Sequence, residues 1–122
     1  MRIKVPGKLF LVGEYSVLKT GQNAIIMAIN KFLKVSIKKH KSHFLIETNK
    51  GKLSIKDSLE IKESNLKHVE YATKMAHDYL EYHQVKPMFY HIVIESELES
   101  EGKKYGLGSS GAVIIGILKS IL

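Results

Sequence analysis

Two changes in the spacing of apolar residues limit the fold of this chain more than any other feature. Lys31 to His40 alternates, with Leu33, Val35 and Ile37 on one face and Lys34, Ser36 and Lys38 on the other, as a strand with one wet face does. From Asn65 to His83 the recurrence lengthens to three and four residues, at Leu66, Val69, Ala72, Ala76, Tyr79 and Leu80, which predicts an amphipathic helix. Pro87 bars its continuation, and Met88 to Glu95 alternates again, with Met88, Tyr90, Ile92 and Ile94 facing one way. The central reading is strand, helix, strand.

The flanks extend that pattern. Ile3 to Val12 reads as an extended segment interrupted at Pro6-Gly7, with a turn at Gly13-Glu14. Ala24 to Ile29 is an apolar run short enough for a buried strand, and His43 to Thr48 and Lys52 to Ile55 read as two strands joined at Asn49-Lys50-Gly51. A polar loop from Ser96 to Tyr105 leads into Gly106-Leu107-Gly108-Ser109-Ser110-Gly111 and a terminal helical pattern. With 122 residues, 44% hydrophobic and 25% charged, the chain fits one packed domain and not a disordered or collagen-like one. The absence of cysteine excludes disulfides, thiolate metal sites and cysteine nucleophiles.

The uncharged stretch from Ser109 to Leu118 is far shorter than the roughly 20 apolar residues of a membrane span, and the N-terminus lacks a secretory signal. A cytoplasmic protein without a membrane partner is expected. The last helical pattern stops on Ile121-Leu122 with no stop signal, so residues 1–122 are expected to be a domain fragment. Apolar surface should then be exposed, particularly on the final helix, and favour self-association.

Chemistry concentrates in two segments. In the glycine-rich loop, glycines let the backbone curl with its amides inward, and the following helix start adds unpaired N–H groups with about half a positive charge. Ser109 and Ser110 add hydroxyls, and Lys103 and Lys104 add charge just upstream. A phosphate group is the natural guest. Gly106, Gly108 and Gly111 also match the dinucleotide fingerprint, but about ten polar residues separate them from the preceding strand, and no room remains for the ribose-binding acid about 20 positions later. The second segment is Pro6 to Leu18, where Lys8 is embedded in an otherwise apolar strand. Burying an unpaired ammonium is costly, so Lys8 should face a cleft, an anion or water.

Taken together, the segments resemble the kinase superfamily named for galactose, homoserine, mevalonate and phosphomevalonate, the GHMP kinases. Pro6-Gly7-Lys8-Leu9-Phe10-Leu11-Val12-Gly13-Glu14-Tyr15 is similar to the family's first motif, and Gly106 to Gly111 to its phosphate-binding second motif. Gly13-Glu14-Tyr15, with Glu101 to Tyr105 ahead of the loop, most resembles the bacterial phosphomevalonate kinase branch, with mevalonate kinases and other members as alternatives. The resemblance implies an α+β fold, the family's N-terminal two-layer domain with a mixed, mostly antiparallel sheet covered by helices. It implies ATP and Mg2+ as co-substrate and metal, and a phosphorylated acid as acceptor.

Residue by residue, the resemblance puts Lys8 beside the transferred phosphoryl group as catalytic and substrate-binding residue, with Tyr15 and Ser16 at the substrate. Lys103, Lys104, Gly106, Leu107, Gly108, Ser109, Ser110 and Gly111 would hold the nucleotide phosphates, and Ser110 the magnesium. The family's third motif and its downstream acidic residue have no counterpart in these 122 residues, so the fragment alone is expected to be inactive.

A basic nucleic-acid-binding module is the competing class, because the net charge is +7 and Lys31, Lys34, Lys38, Lys39 and Lys41 cluster. Alternation with core residues and the lack of interleaved aromatics favour a solvated strand face instead. His68, His77 and His83 lack the i, i+4 spacing of a helical metal pair, and His40, His43 and His91 read as surface residues. Met75, Tyr79, Met88 and Tyr90 are expected in the core or an interface.

Overall fold

The computed structural model describes residues 1–49, 51–55, 66–86, 88–100, 103–104 and 106–122, with the backbone alone at 100, 103 and 104. Five strands form one sheet: β1 (Arg2–Val12), β2 (Ile25–Lys39), β3 (Phe44–Thr48), β4 (Gly51–Ile55) and β5 (Tyr90–Ser96). Their order is β1-β2-β5-β3-β4, antiparallel throughout except for the parallel pair β3 and β5. Helix α1 (Lys67–Tyr82) carries the chain from β4 back to β5, as a parallel neighbour requires. A two-strand hairpin, β6 (Glu99–Ser100) and β7 (Lys103–Lys104), then leads to α2 (Ser109–Ile121). The architecture is the expected α+β one. Pro87, expected to stop α1, lies outside the described residues.

One face of the sheet is closed by α1 and α2. Leu33, Val35 and Ile37 of β2, Ile92 and Ile94 of β5, and Phe44 and Ile46 of β3 point into this layer and are buried, as alternation requires. Each such side chain contributes about 1.5–3 kcal/mol by leaving water. Val69, Ala72, Thr73 and Ala76 of α1 and Ala112, Gly116, Ile117 and Ile121 of α2 complete the core. Gly116 lets α2 sit close, since a Cβ there would lie 2.6 Å from Val35 Cγ2. Glu70 is also buried, with one carboxylate oxygen unpartnered among the described residues; its place in the first turn of α1 gives it the positive end of the helix dipole.

Several expectations need correction. Ala24–Ile29 is not a separate buried strand. Its residues from Ile25 onward continue into Lys31–Lys39 as one 15-residue strand, and Ile25 (58%), Ile26 (51%) and Met27 (45%) are exposed. They pair with Phe10, Leu9 and Val12 in a two-stranded ribbon that extends beyond the helices, so no second layer covers them. This ribbon, more than the final helix, is the large exposed apolar surface, although Ile115 of α2 and Leu122 just after it are exposed too. On α1, Tyr79 faces solvent together with Tyr71, Met75 and Tyr82, and Met88 lies before β5, also exposed; Tyr90 is half-buried against the core. The polar loop after β5 hides an apolar anchor, because Leu98 is buried at 1% and reaches the place where a side chain on Gly7 would stand.

Glu97 fixes the exit from β5. Its carboxylate accepts from the Phe32 backbone N–H at 3.0 Å and pairs with Lys34, while Glu97 N–H donates to Phe32 O at 3.0 Å. The Lys34 hydrogen bond, and then the Phe32 amide, hold this carboxyl below the usual carboxylate range. A carboxyl lowered on folding stabilises the fold above its unfolded pKa and loses that contribution as pH falls through the folded value. Urea denaturation of wild type and Glu97→Gln at pH 7 and below pH 4 is therefore expected to give a gap that is present at neutral pH and shrinks on acidification. An equal gap at both pH values would contradict this role.

Candidate functional site

β1 is an edge strand, and its free side is used once among the described hydrogen bonds to hold the loop before α2: Lys8 N–H donates to Leu107 O at 2.9 Å. On either side of Leu107 the backbone is left-handed, with φ of +71° at Gly106 and +75° at Gly108, a conformation that suits glycine. Gly108 also leaves room for the lysine. A Cβ on it would lie 2.7 Å from Lys8 Cγ and 3.1 Å from Lys8 Cε. The aliphatic stem of Lys8 therefore lies across the Gly108 backbone, and its ammonium stands 4.5 Å from the centre of the Phe10 ring, within cation–π range.

Ala112 N–H closes the first turn of α2 on Gly108 O at 3.0 Å. The amides of Ser109, Ser110 and Gly111 thus precede the first intrahelical bond, and among the described residues no side chain caps this end. The positive end of the helix dipole lies behind these amides and the Lys8 stem beside them, an arrangement of backbone donors of the kind that suits an anion. The hydroxyls of Ser109 and Ser110 border a cavity of about 90 Å³ between the two helices and the sheet. Thr48 and Asn49 from the end of β3, His68 from α1, Ser96 from the end of β5 and Glu99 from β6 complete its polar lining, while Leu33, Val69 and Val113 are among its apolar walls.

The structure thus brings together Lys8, Gly106, Leu107, Gly108, Ser109, Ser110 and Gly111. Tyr15 and Ser16 lie past the outer end of β1, and among the described residues no hydrogen bond or ring contact ties them to the loop. Tyr15 is 81% exposed, and Ser16 Oγ donates to Gly13 O at 3.3 Å. Glu14 is an exposed turn residue. Lys103 and Lys104 form backbone pairs with Ser100 and Glu99, but the expected roles of their side chains lie outside the described part of the structure. Thr48, Asn49, His68 and Glu99 were not legible as site residues, because only the order of strands places the end of β3 beside the start of α2. His91, read as a lone strand residue, stands 3.5 Å from Glu47, which Lys52 also pairs with at 3.1 Å. Lys52, first, and His91 lower the Glu47 carboxyl below its ordinary range.

The Gly108 contact generates a prediction. Gly108→Ala places a side chain at positive φ and against the Lys8 stem, and is expected to cost about 1–2 kcal/mol. Urea denaturation measures that loss, and Gly111→Ala, at a position open on all sides, serves as the control with a smaller change. Equal losses in the two variants would show that the close approach does not matter.

No family model matches the chain. It is 28% identical to the phosphomevalonate kinase of Streptomyces sp. (strain CL190) over 95% of its own length and 36% of that enzyme's. Among solved structures, it superposes over its whole length on Streptococcus pneumoniae phosphomevalonate kinase in complex with phosphomevalonate and AMPPNP, with a TM-score of 0.86, 28% identity and 36% of that chain covered. Methanococcus jannaschii mevalonate kinase is similar at a TM-score of 0.82 and 28% identity, with 99% of this chain and 39% of that one covered. The chain therefore spans little more than a third of the length of these relatives.

Proposed function

This chain belongs to the GHMP kinase superfamily, corresponding to the N-terminal part of its members, and from that premise we propose that the whole protein transfers the terminal phosphoryl group of ATP to 5-phosphomevalonate. The observation that carries the reading is the seating of the Lys8 stem on Gly108 beside the first amides of α2. Those amides, from Gly106 to Gly111, receive the nucleotide phosphates, with the hydroxyls of Ser109 and Ser110 beside them. Lys8 turns from Phe10 to the transferred group. Among the described residues no helix is long and apolar enough to cross a bilayer.

The chemistry fits the acceptor. A phosphate monoester carries roughly −1.5 to −2 charge near neutral pH, so its oxygen attacks without first losing a proton. A bond forms from that oxygen to the γ-phosphorus while the bond from the γ-phosphorus to the β-bridging oxygen breaks, and the electron pair leaves on the diphosphate. Lys8, as an ammonium, offsets charge that two phosphates bring together. Magnesium suits the donors at this place, since it takes hard oxygen ligands and Ser110 supplies one beside the Glu99-lined cavity. Bound there with phosphate oxygens, it would act as a Lewis acid. Positioning and charge stabilisation supply the acceleration.

A second reading, phosphorylation of the alcohol of mevalonate, rests on the equal identity to a mevalonate kinase. The protein in its full natural length is to be assayed with ATP and 5-phosphomevalonate, mevalonate, galactose or homoserine. Turnover of 5-phosphomevalonate is expected to dominate, and Lys8→Met to lower it by about 100-fold or more, equivalent to roughly 3 kcal/mol. Preference for mevalonate would select the second reading, and an unimpaired Lys8→Met variant would remove the role given to Lys8.

The apolar ribbon of β1 and β2 further supports self-association of the 122-residue chain. Leu11, Val12, Ile25, Ile26 and Met27 are each about half exposed there, and contiguous exposed apolar surface of this kind marks interaction sites. Sedimentation velocity is expected to give a mass that rises with concentration and falls when Ile25 and Met27 are replaced by Lys. A clean monomer across a wide concentration range would contradict it.

A further inference from the structure

The pole of the sheet opposite the glycine loop holds a second cluster of charge that the kinase reading does not use. The sequence has no Asp or Glu between Glu14 and Glu47, and none between Glu81 and Glu95. The fold lays the ends of these two acid-free stretches side by side: His40 N–H donates to Phe89 O at 2.8 Å, and Lys39 and Lys38 pair in register with Tyr90 and His91. Between them lies a cavity of about 270 Å³ lined by Lys39, His40, Lys41, Lys86, Met88 and Phe89. Among the described residues, none of the three lysines is in an ion pair.

Three ammonium groups around one hollow, without a counter-charge among the described residues, repel each other, and an anion that they share removes that cost. The end of α2 offers part of an explanation without any ligand, because Lys38 and Lys39 also line a groove with Ser120, near the negative end of that helix dipole. It does not account for Lys41 and Lys86, which line only the first cavity. The floor of that cavity is apolar, formed by Met88 and Phe89. We propose that this cavity is a second binding site, for a phosphate monoester that carries a short apolar tail, with the lysines on the phosphate and Met88 and Phe89 on the tail. The site is separate from the glycine loop by roughly 36 Å of strand, counted along β2 from Ala28, opposite Lys8, to Lys39.

Amide shifts of the 122-residue chain test this in titrations with hexyl phosphate, inorganic phosphate and hexanol. Hexyl phosphate is expected to move residues 39–41 and 86–89 saturably, with inorganic phosphate and hexanol each at least about 10-fold weaker. Lys41→Ala with Lys86→Ala should weaken hexyl phosphate by about 10-fold at this pole, whereas Lys8→Met should leave it unchanged there. A second arm uses phosphatidylcholine vesicles with and without phosphatidic acid. Sedimentation with phosphatidic acid vesicles, reversed by hexyl phosphate, assigns the phosphate to a lipid headgroup; no sedimentation, with soluble binding retained, assigns it to a free molecule. Shifts confined to residues 106–112, no saturation, or a double variant that binds like wild type would overturn the proposal.

Discussion

Lys8 makes two contacts in two directions. Its backbone N–H holds Leu107 O, and its side-chain stem lies on Gly108. A single backbone hydrogen bond contributes only about 1 kcal/mol net, so the bond matters for placement more than for stability. It sets how far the loop stands from β1, and the missing side chain at residue 108 allows that distance to be a van der Waals contact. With the loop so placed, α2 begins where its first amides and the lysine face the same space. Backbone and side chain of one residue thus join two segments 100 residues apart in sequence at the candidate site.

The rest of the sheet serves this junction. β1 is held at its base by pairing with β2 from Arg2 to Pro6, and the register shift between Pro6 and Gly7 marks where it leaves the core for the ribbon. Leu98 packs at that point, in the space a Gly7 side chain would take, while Glu97 clamps the exit from β5 to Phe32 and Lys34. The chain is thereby turned from the sheet toward the hairpin and the loop. Gly116 then lets α2 lie close on Val35, which fixes the direction in which its N-terminus points.

Elements whose burial is one-sided were legible in the sequence. Leu33, Val35 and Ile37 alternate because one face of β2 is covered and the other is wet, and α1 follows its three- and four-residue spacing for the same reason. Ile25 to Met27 misled because an apolar run is the same string whether it is buried or exposed, and a single chain does not encode what covers the ribbon. That Lys8 and the glycine loop belong together was legible from their motifs, and the structure brings them into contact at Leu107 and Gly108. Thr48, Asn49, His68 and Glu99 were not, because they meet only through the strand order, in which β5 inserts between β2 and β3.

The most direct test of the account is an amide-shift titration of the 122-residue chain with AMPPNP and Mg2+. The account predicts that the largest changes fall on residues 106–112 and on Lys8 and Phe10, as the ammonium leaves the ring for the phosphates. Saturable changes centred elsewhere, with Lys8 and residues 106–112 unmoved, would contradict it.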